Sequence, residues 1–323
     1  MTNAPRAVLA ANRAARLRDF APLTALIVLI GVIAAFAPSF LSVSTMLLLG
    51  ADTATLFIMA TGLTWVILLG GIDLSVQSVA SLASVVLAVA VSHVGGLAIP
   101  LAIAVGVVAG AISGFAQDRL RIPSFITTLA VGGIAAAAAL VLSGTRSVPL
   151  PPQAAGAVGW ITASTVGVSH VIPIALVILL GSLFAERRTV FGRWTFAVGA
   201  GEPAALVAGV PVGRVKVGAL MISGALAATA GVVLAARLNS GSPTLANEFL
   251  LPAVAAVCVG GTALTGGVGG SLRTLIGALI VSVVRVGMTF VGVDVFAQQI
   301  VFGFVLVLAV AITIDRTKIP VVK

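Results

Sequence analysis

Charge is what this chain has least of. Only 8% of its 323 residues are Asp, Glu, Lys or Arg, against about 25% in ordinary soluble chains. A fold of this length that faced water would need more charged surface. The excess of apolar residues, 60% of the chain with a mean hydropathy of +1.24, must face lipid. The useful unit is then a span of about 20 apolar residues. Apolar stretches fill nearly the whole chain and leave no room for a soluble domain of ordinary size.

Cysteine is almost as scarce. The one residue, Cys258, excludes an internal disulfide and a cysteine metal cluster, and inside its apolar run it reads as a small packing residue. A P-loop is missing too. None of the three lysines follows a glycine, so the chain cannot cradle ATP phosphates in a G-x-x-x-x-G-K-[ST] loop. Any energy-driven activity of the chain must therefore take its energy from another subunit or from an ion gradient. Gly199-Ala200-Gly201-Glu202-Pro203-Ala204 fits a degenerate G-x-G-x-x-A pattern. A dinucleotide site needs a βαβ unit around that pattern, and the loop holding it has no space for one. The basic residues behind the net charge of +9 sit singly or in small groups between apolar runs, which argues against a nucleic-acid surface. His93 and His170 fall near span ends without a matching ligand set, so no metal is expected.

What is there reads as an all-α polytopic membrane protein of about ten transmembrane helices. The candidate spans are 22–40, 50–69, 75–92, 96–116, 124–142, 168–184, 215–236, 249–264, 275–293 and 296–314. The first resembles a signal peptide, because Arg13, Arg16 and Arg18 precede it and Ala35-Phe36-Ala37 ends it. The further runs that follow make it an uncleaved span. Gly106-x-x-x-Gly110-x-x-x-Gly114 in the fourth span is a close-packing face, read as serving contacts within the subunit.

Basic residues orient the chain. Arg6, Arg13, Arg16 and Arg18, then Arg119 and Arg121, then Arg187, Arg188, Arg193, Arg214 and Lys216, then Arg273, and finally Arg316, Lys318 and Lys323 all fall on one side. The opposite loops hold only Arg146 and Arg237. Both termini are therefore expected in the cytoplasm. The expected organisation is a basic tail over 1–21, one transmembrane domain over 22–314 with a cytoplasmic loop at 185–214, and a second tail over 315–323. A faint repeat runs through it. Gly70-Gly71-Ile72-Asp73-Leu74-Ser75 resembles Gly260-Gly261-Thr262-Ala263-Leu264-Thr265, and Asp118 to Pro123 resembles Asp315 to Pro320. Spans one to four and seven to ten would then be related in parallel.

The loop from Glu186 to Arg214 is the longest hydrophilic stretch between spans. Glu202-Pro203 opens a short helical run, Ala204-Ala205-Leu206-Val207-Ala208, that stops at Gly209. Pro in the first turn and Gly just past the end are good boundary signals. Such a helix suits docking into a partner's groove, and it equally suits a plain interfacial connector.

Several blocks resemble a known family. Thr189-Val190-Phe191-Gly192-Arg193, with Ala197-Val198-Gly199, Ala204-Ala205, Gly209 and Val215-Lys216, is similar to the cytoplasmic loop of ribose-type ABC importer permeases. Gly71-Ile72-Asp73-Leu74-Ser75-Val76, the run from Ile122 to Leu129, Gly260-Gly261-Thr262-Ala263-Leu264 with Gly266-Gly267 and Gly269, Gln298-Gln299-Ile300 and Asp315 resemble further blocks of that family, in order. The resemblance implies an inner-membrane permease subunit, not an enzyme, that carries a monosaccharide or related polar solute. It also implies a dimer with a second permease copy, ATP-binding cassette subunits and a periplasmic or extracellular solute-binding protein. ATP and magnesium would sit on the cassette, with no cofactor in this chain. Glu202, Pro203, Ala204, Ala205, Leu206 and Gly209 would then couple the permease to the ATPase.

The chain departs from those relatives at Gln77, at Ser271-Leu272-Arg273-Thr274 and at Val284-Arg285-Val286-Gly287. Arg285 falls about ten residues, roughly 15 Å, inside its span. An unpaired arginine at such a depth is costly. It either pairs with Asp52, Asp294 or Glu248, or lines the solute path, where it would favour an anionic solute such as a sugar acid. Asp73 either caps the third span or gates. Trp65, Asn239 and Gln298 are further candidates for solute contact, since aromatic faces and amides suit hydroxylated rings. Two rivals stand beside the sugar permease: an ABC permease for a nucleoside or an autoinducer-like molecule, and an ion-coupled secondary transporter. The second would need ionisable pairs in mid-membrane.

Overall fold

The computed structural model describes residues 22–152 and 155–313. The basic tails 1–21 and 315–323 lie outside them. The described chain is a helical bundle: α1 (Pro22–Phe36), α2 (Val43–Ile67), α3 (Val76–Val94), α4 (Ala98–Leu120), α5 (Ser124–Ser143), α6 (Ala155–Thr162), α7 (Val171–Arg188), α8 (Val190–Ala200), α9 (Glu202–Val207), α10 (Val212–Leu238), α11 (Leu250–Val259), α12 (Ser271–Phe290) and α13 (Val295–Thr313). Among these residues five stretches are long and apolar enough to cross a membrane. One of them, Val76–Leu120, is 45 residues long. At 1.5 Å per residue it would run about 68 Å, more than twice a hydrocarbon core of about 30 Å. The chain divides it at Gly95, whose φ of 56° ends α3 before a short 3-10 turn leads into α4.

The all-α expectation misses four two-residue strands. β1 (Val148–Pro149) pairs antiparallel with β4 (Ser240–Gly241), and β2 (Ser164–Thr165) with β3 (Val168–Ser169). The 143–171 connection, read from sequence as loop, also carries α6.

α2 and α10 form the centre. From Thr53 to Leu68 every residue of the α2 segment is buried, as expected for a helix apolar on all faces. Three of its hydroxyls are satisfied within the helix, because Thr55, Thr61 and Thr64 donate back to the carbonyls of Ala51, Phe57 and Ala60. The Ser42 hydroxyl starts the helix by accepting from the Thr45 N–H. α10 packs along α2, α3 and α4. The α4 glycine stripe meets α10 directly: a Cβ at Gly106 or Gly110 would overlap the backbone of Gly224 or Leu220. The small-residue face thus packs within the subunit, as its spacing suggested.

The loops sort onto two ends. Residues 68–75, 121–123, 189–211 and 260–270 gather at one end, here the α8–α9 end; residues 37–42, 95–97, 144–170 and 291–294 lie at the other. One expected span is corrected. The eighth was read as 249–264, but α11 has only 10 residues, about 15 Å and half of a hydrocarbon core. Gly260 and Gly261 end it. The ten residues after Asn239 precede it without regular helix apart from a 3-10 turn at Asn247–Phe249.

Candidate coupling site and solute-facing residues

The segment between α7 and α10 folds back on the bundle as two short helices. Thr189 caps α8: its Oγ1 accepts from the Gly192 N–H at 3.1 Å and donates to the Ala185 carbonyl at 2.6 Å. Sequence reading left α8 as loop, because its eleven residues are too short for a span and lie in the hydrophilic stretch between spans. α9 begins with Glu202 and Pro203 in its first turn and ends before Gly209, whose φ of 78° is left-handed. The Pro and Gly boundary signals are met, with the helix one residue shorter than expected.

Ala205 is the buried member of α9 and packs with Val198, Val212 and Val215. Pro203, Ala204, Leu206 and Val207 point out, with Val207 90% exposed. Glu202 is tied to α10 by an ion pair with Lys216 at 2.7 Å. That pair borders a cavity of about 270 Å³, with Gly71, Gln117, Ser124 and Phe125 on its other walls.

Three backbones meet at the C-terminal end of α8. Gly267 N–H donates to the Leu68 carbonyl at 2.9 Å, and a Cβ on Gly199 would overlap both. Only glycine lets α8 lie this close to the glycine breaks after α2 and α11.

Asp73 sits at the same end, 1% exposed. Its Oδ1 accepts from the Ser75 N–H at 2.9 Å and the Ser75 hydroxyl at 2.6 Å; its Oδ2 accepts from Ser223 at 2.7 Å. It thereby holds the first turn of α3 and fastens it to α10. Burial pushes its carboxyl above the usual carboxylate range, against the opposing pull of these hydrogen bonds. Trp65 is also here, 1% exposed, with its ring against Phe191 of α8. In this conformation it joins α2 to α8 and offers no open face to a solute.

Sequence reading missed Glu186. It is 7% exposed, and its Oε1 accepts from the Ser271 N–H at 2.8 Å and from the Ser271 hydroxyl at 2.5 Å. The last turn of α7 is thus bound to the first turn of α12. In sequence it stands beside Arg187 and Arg188, which made it look like part of a solvated span end. The available signal was its rarity, as one of only nine acidic residues.

Arg285, Asn239 and Gln298 lie far from the α8–α9 end. Asn239 is exposed at the end of α10 with φ 50°, a C-cap role that asparagine tolerates, and its carbonyl accepts from the Leu150 N–H at 2.9 Å. Gln298 is 3% exposed and donates to Thr289 of α12 at 3.3 Å. Arg285 lies five residues before the end of α12, about 8 Å along the axis, so it is nearer the end of its helix than the span boundaries implied. Its guanidinium lies over the Phe249 ring at 5.0 Å. Two of its expected partners are engaged elsewhere: Asp52 pairs with Arg237 at 2.5 Å, and Glu248 accepts from Gln299.

The family model described as "Branched-chain amino acid transport system / permease component" matches residues 45–310. The ribose import permease RbsC of Escherichia coli K12 is 34% identical over 297 residues, covering 90% of this chain and 92% of the relative. RbsC of Bacillus subtilis is 36% identical over 309 residues, 94% of each. The L-arabinose transport system permease AraH of E. coli K12 is 33% identical over 293 residues, 88% of this chain and 86% of the relative. No solved structure matches the chain significantly.

Proposed function

The chain belongs to this permease family, and from that premise we propose that it is the membrane-spanning subunit of an ABC importer that brings a monosaccharide into the cytoplasm. Ribose and arabinose are the solutes in its relatives' names, so a pentose is the first substrate to offer it.

The observation that carries the reading is α9. It is a short helix with one buried residue, Ala205, and an exposed apolar face of Pro203, Ala204, Leu206 and Val207. A short helix with an exposed apolar face of that kind suits docking into a partner's groove. Here the partner would be the ATP-binding cassette, which supplies ATP and magnesium chemistry absent from this chain. Arg119, Arg121, Arg187, Arg188, Arg193, Arg214, Lys216 and Arg273 all belong to the same end, which makes it cytoplasmic by the positive-inside rule. Both tails then lie in the cytoplasm of a bacterial inner-membrane protein whose chain passes the bilayer about ten times. A second permease copy and a solute-binding protein complete the assembly.

The test is gentle affinity purification of the tagged chain from its native membrane, followed by uptake of D-ribose and L-arabinose in proteoliposomes. Recovery of a cassette subunit and ATP-dependent uptake of a pentose supports the reading. A chain recovered alone that moves solute on a proton or sodium gradient overturns it.

A further inference from the structure

Between α10 and α11 the chain turns back into the bundle instead of ending at its surface. The path is fixed by α3. Ser84 Oγ accepts from the Ser242 N–H at 3.2 Å while its own proton goes to the Ser81 carbonyl at 2.6 Å, and Ser81 Oγ accepts from the Ala246 N–H at 3.1 Å. A Cβ on Gly241 would overlap the Ser84 carbonyl. Ser81 and Ser84 lie five and eight residues inside the 19-residue α3. The next anchor is Phe249, under Arg285 of α12. Arg285 lies 14 residues beyond the start of α12, about 21 Å along it. Residues 242–249 therefore sit within the thickness of the bundle, between the helix ends and not beyond them.

Irregular backbone at this depth is tolerated only where protein buries it or water reaches it. Part of the segment is buried as required: Pro243, Ala246 and Phe249. Another part is not. Thr244, Asn247 and Glu248 are exposed, and Glu248 is accompanied by Gln299 of α13. Gln299 lies four residues, about 6 Å, inside α13, so the carboxylate and the amide beside it stand inside the helix ends but toward the 291–294 end, where a charge set against lipid is still disfavoured. This face must meet water, solute or another polypeptide.

We infer that Thr244, Asn247, Glu248 and Gln299 form a solute-contact site on the translocation path, for a neutral polyhydroxylated solute. The inference rests on the importer reading for what the solute is, but not for where the water is. A carboxylate accepts hydroxyl hydrogens, and amides both donate and accept, which matches a ring of hydroxyls. An exposed carboxylate beside the path disfavours an anionic solute and so argues against the sugar-acid reading of Arg285. A helix interrupted inside the bundle is also a form in which transporters present polar groups to solute.

The experiment is thiol accessibility in the assembled transporter in its native membrane. Cys258, the only cysteine and a buried one, is first replaced by serine. Single cysteines are then placed at Thr244, Asn247 and Glu248, with Val166, 96% exposed in a loop, as the water-facing control and Ile134, 67% exposed in the middle of α5, as the lipid-facing control. The expected result is labelling of the three positions by a charged, membrane-impermeant thiol reagent, slowed by saturating D-ribose or L-arabinose under turnover. Asn247→Ala and Glu248→Ala should lower uptake about tenfold or more, the scale for losing a hydrogen bond to a charged or buried group, with the cassette subunit still retained. Inert cysteines at all three positions beside a reactive Val166→Cys overturn the site, whatever the cassette purification shows. So does unchanged uptake by both alanine variants. Absence of a cassette subunit from the wild-type purification would instead overturn the importer reading and leave the labelling result to stand for a water-filled path.

Discussion

Trp65 and Phe191 meet ring to ring, 5.5 Å between centroids and tilted by 38°. Trp65 closes the last turn of α2, and Phe191 opens α8. A membrane helix and the loop proposed to receive a partner's push are thereby packed as one body. Phe191→Ala removes the ring packed on Trp65 and, since Phe191 is only partly buried, should cost less than the roughly 3–5 kcal/mol of a fully buried Phe→Ala change, while Phe191→Leu keeps most of the contact. Thermal unfolding of the purified complex checks the stability. Solute moved per ATP hydrolysed checks whether the joint carries force: it should fall in the alanine variant by more than the loss of folded protein explains.

Glu186 makes the same kind of joint with polar atoms. Glu186→Ala strands the Ser271 N–H and hydroxyl in a buried site, at about 1–3 kcal/mol. Glu186→Gln keeps an oxygen in the same position and should lose less. Equal melting temperatures for Glu186→Ala and wild type would contradict the buried geometry.

Gly110 and Gly133 provide a matched contrast. Gly110 on α4 has the Leu220 backbone where its Cβ would stand, whereas Gly133 on α5 has nothing within 4 Å. Gly110→Ala should destabilise the subunit by about 1–3 kcal/mol through overpacking. Gly133→Ala should stabilise it by about 0.5–1 kcal/mol through helix propensity. Melting curves of the two variants decide it, and the signs must be opposite.

Leu206 is 62% exposed on α9 and touches no core cluster. Leu206→Asp should leave the melting temperature of the isolated permease within about 0.5 kcal/mol of wild type, as for an ordinary surface change. The same substitution should reduce co-purification of the cassette subunit. A variant that retains the cassette and transports normally would mean that α9 is only a connector.

Much of this was legible in the chain itself. The helical spans at 50–69, 75–92, 96–116, 124–142 and 215–236 each meet a helix, because a run of apolar residues in lipid has one way to satisfy its backbone. The α9 boundaries followed from Pro203 and Gly209, whose backbone preferences act locally. Asp73 was singled out, though not its bond to Ser223, which lies 150 residues away in sequence.

What the sequence by itself determined is the class of environment, the rough place of most of the apolar runs, and the family to which the loop and glycine blocks belong. These follow from composition, short-range propensity and ordered local motifs. Only the tertiary structure decided that Arg237 takes Asp52, that Glu186 grips Ser271, that Trp65 faces a loop helix and not a solute, and that residues 242–249 re-enter the bundle along α3. Each of these is a contact between distant segments. A partner is chosen by which helix faces lie opposite one another after packing, and no local pattern encodes that.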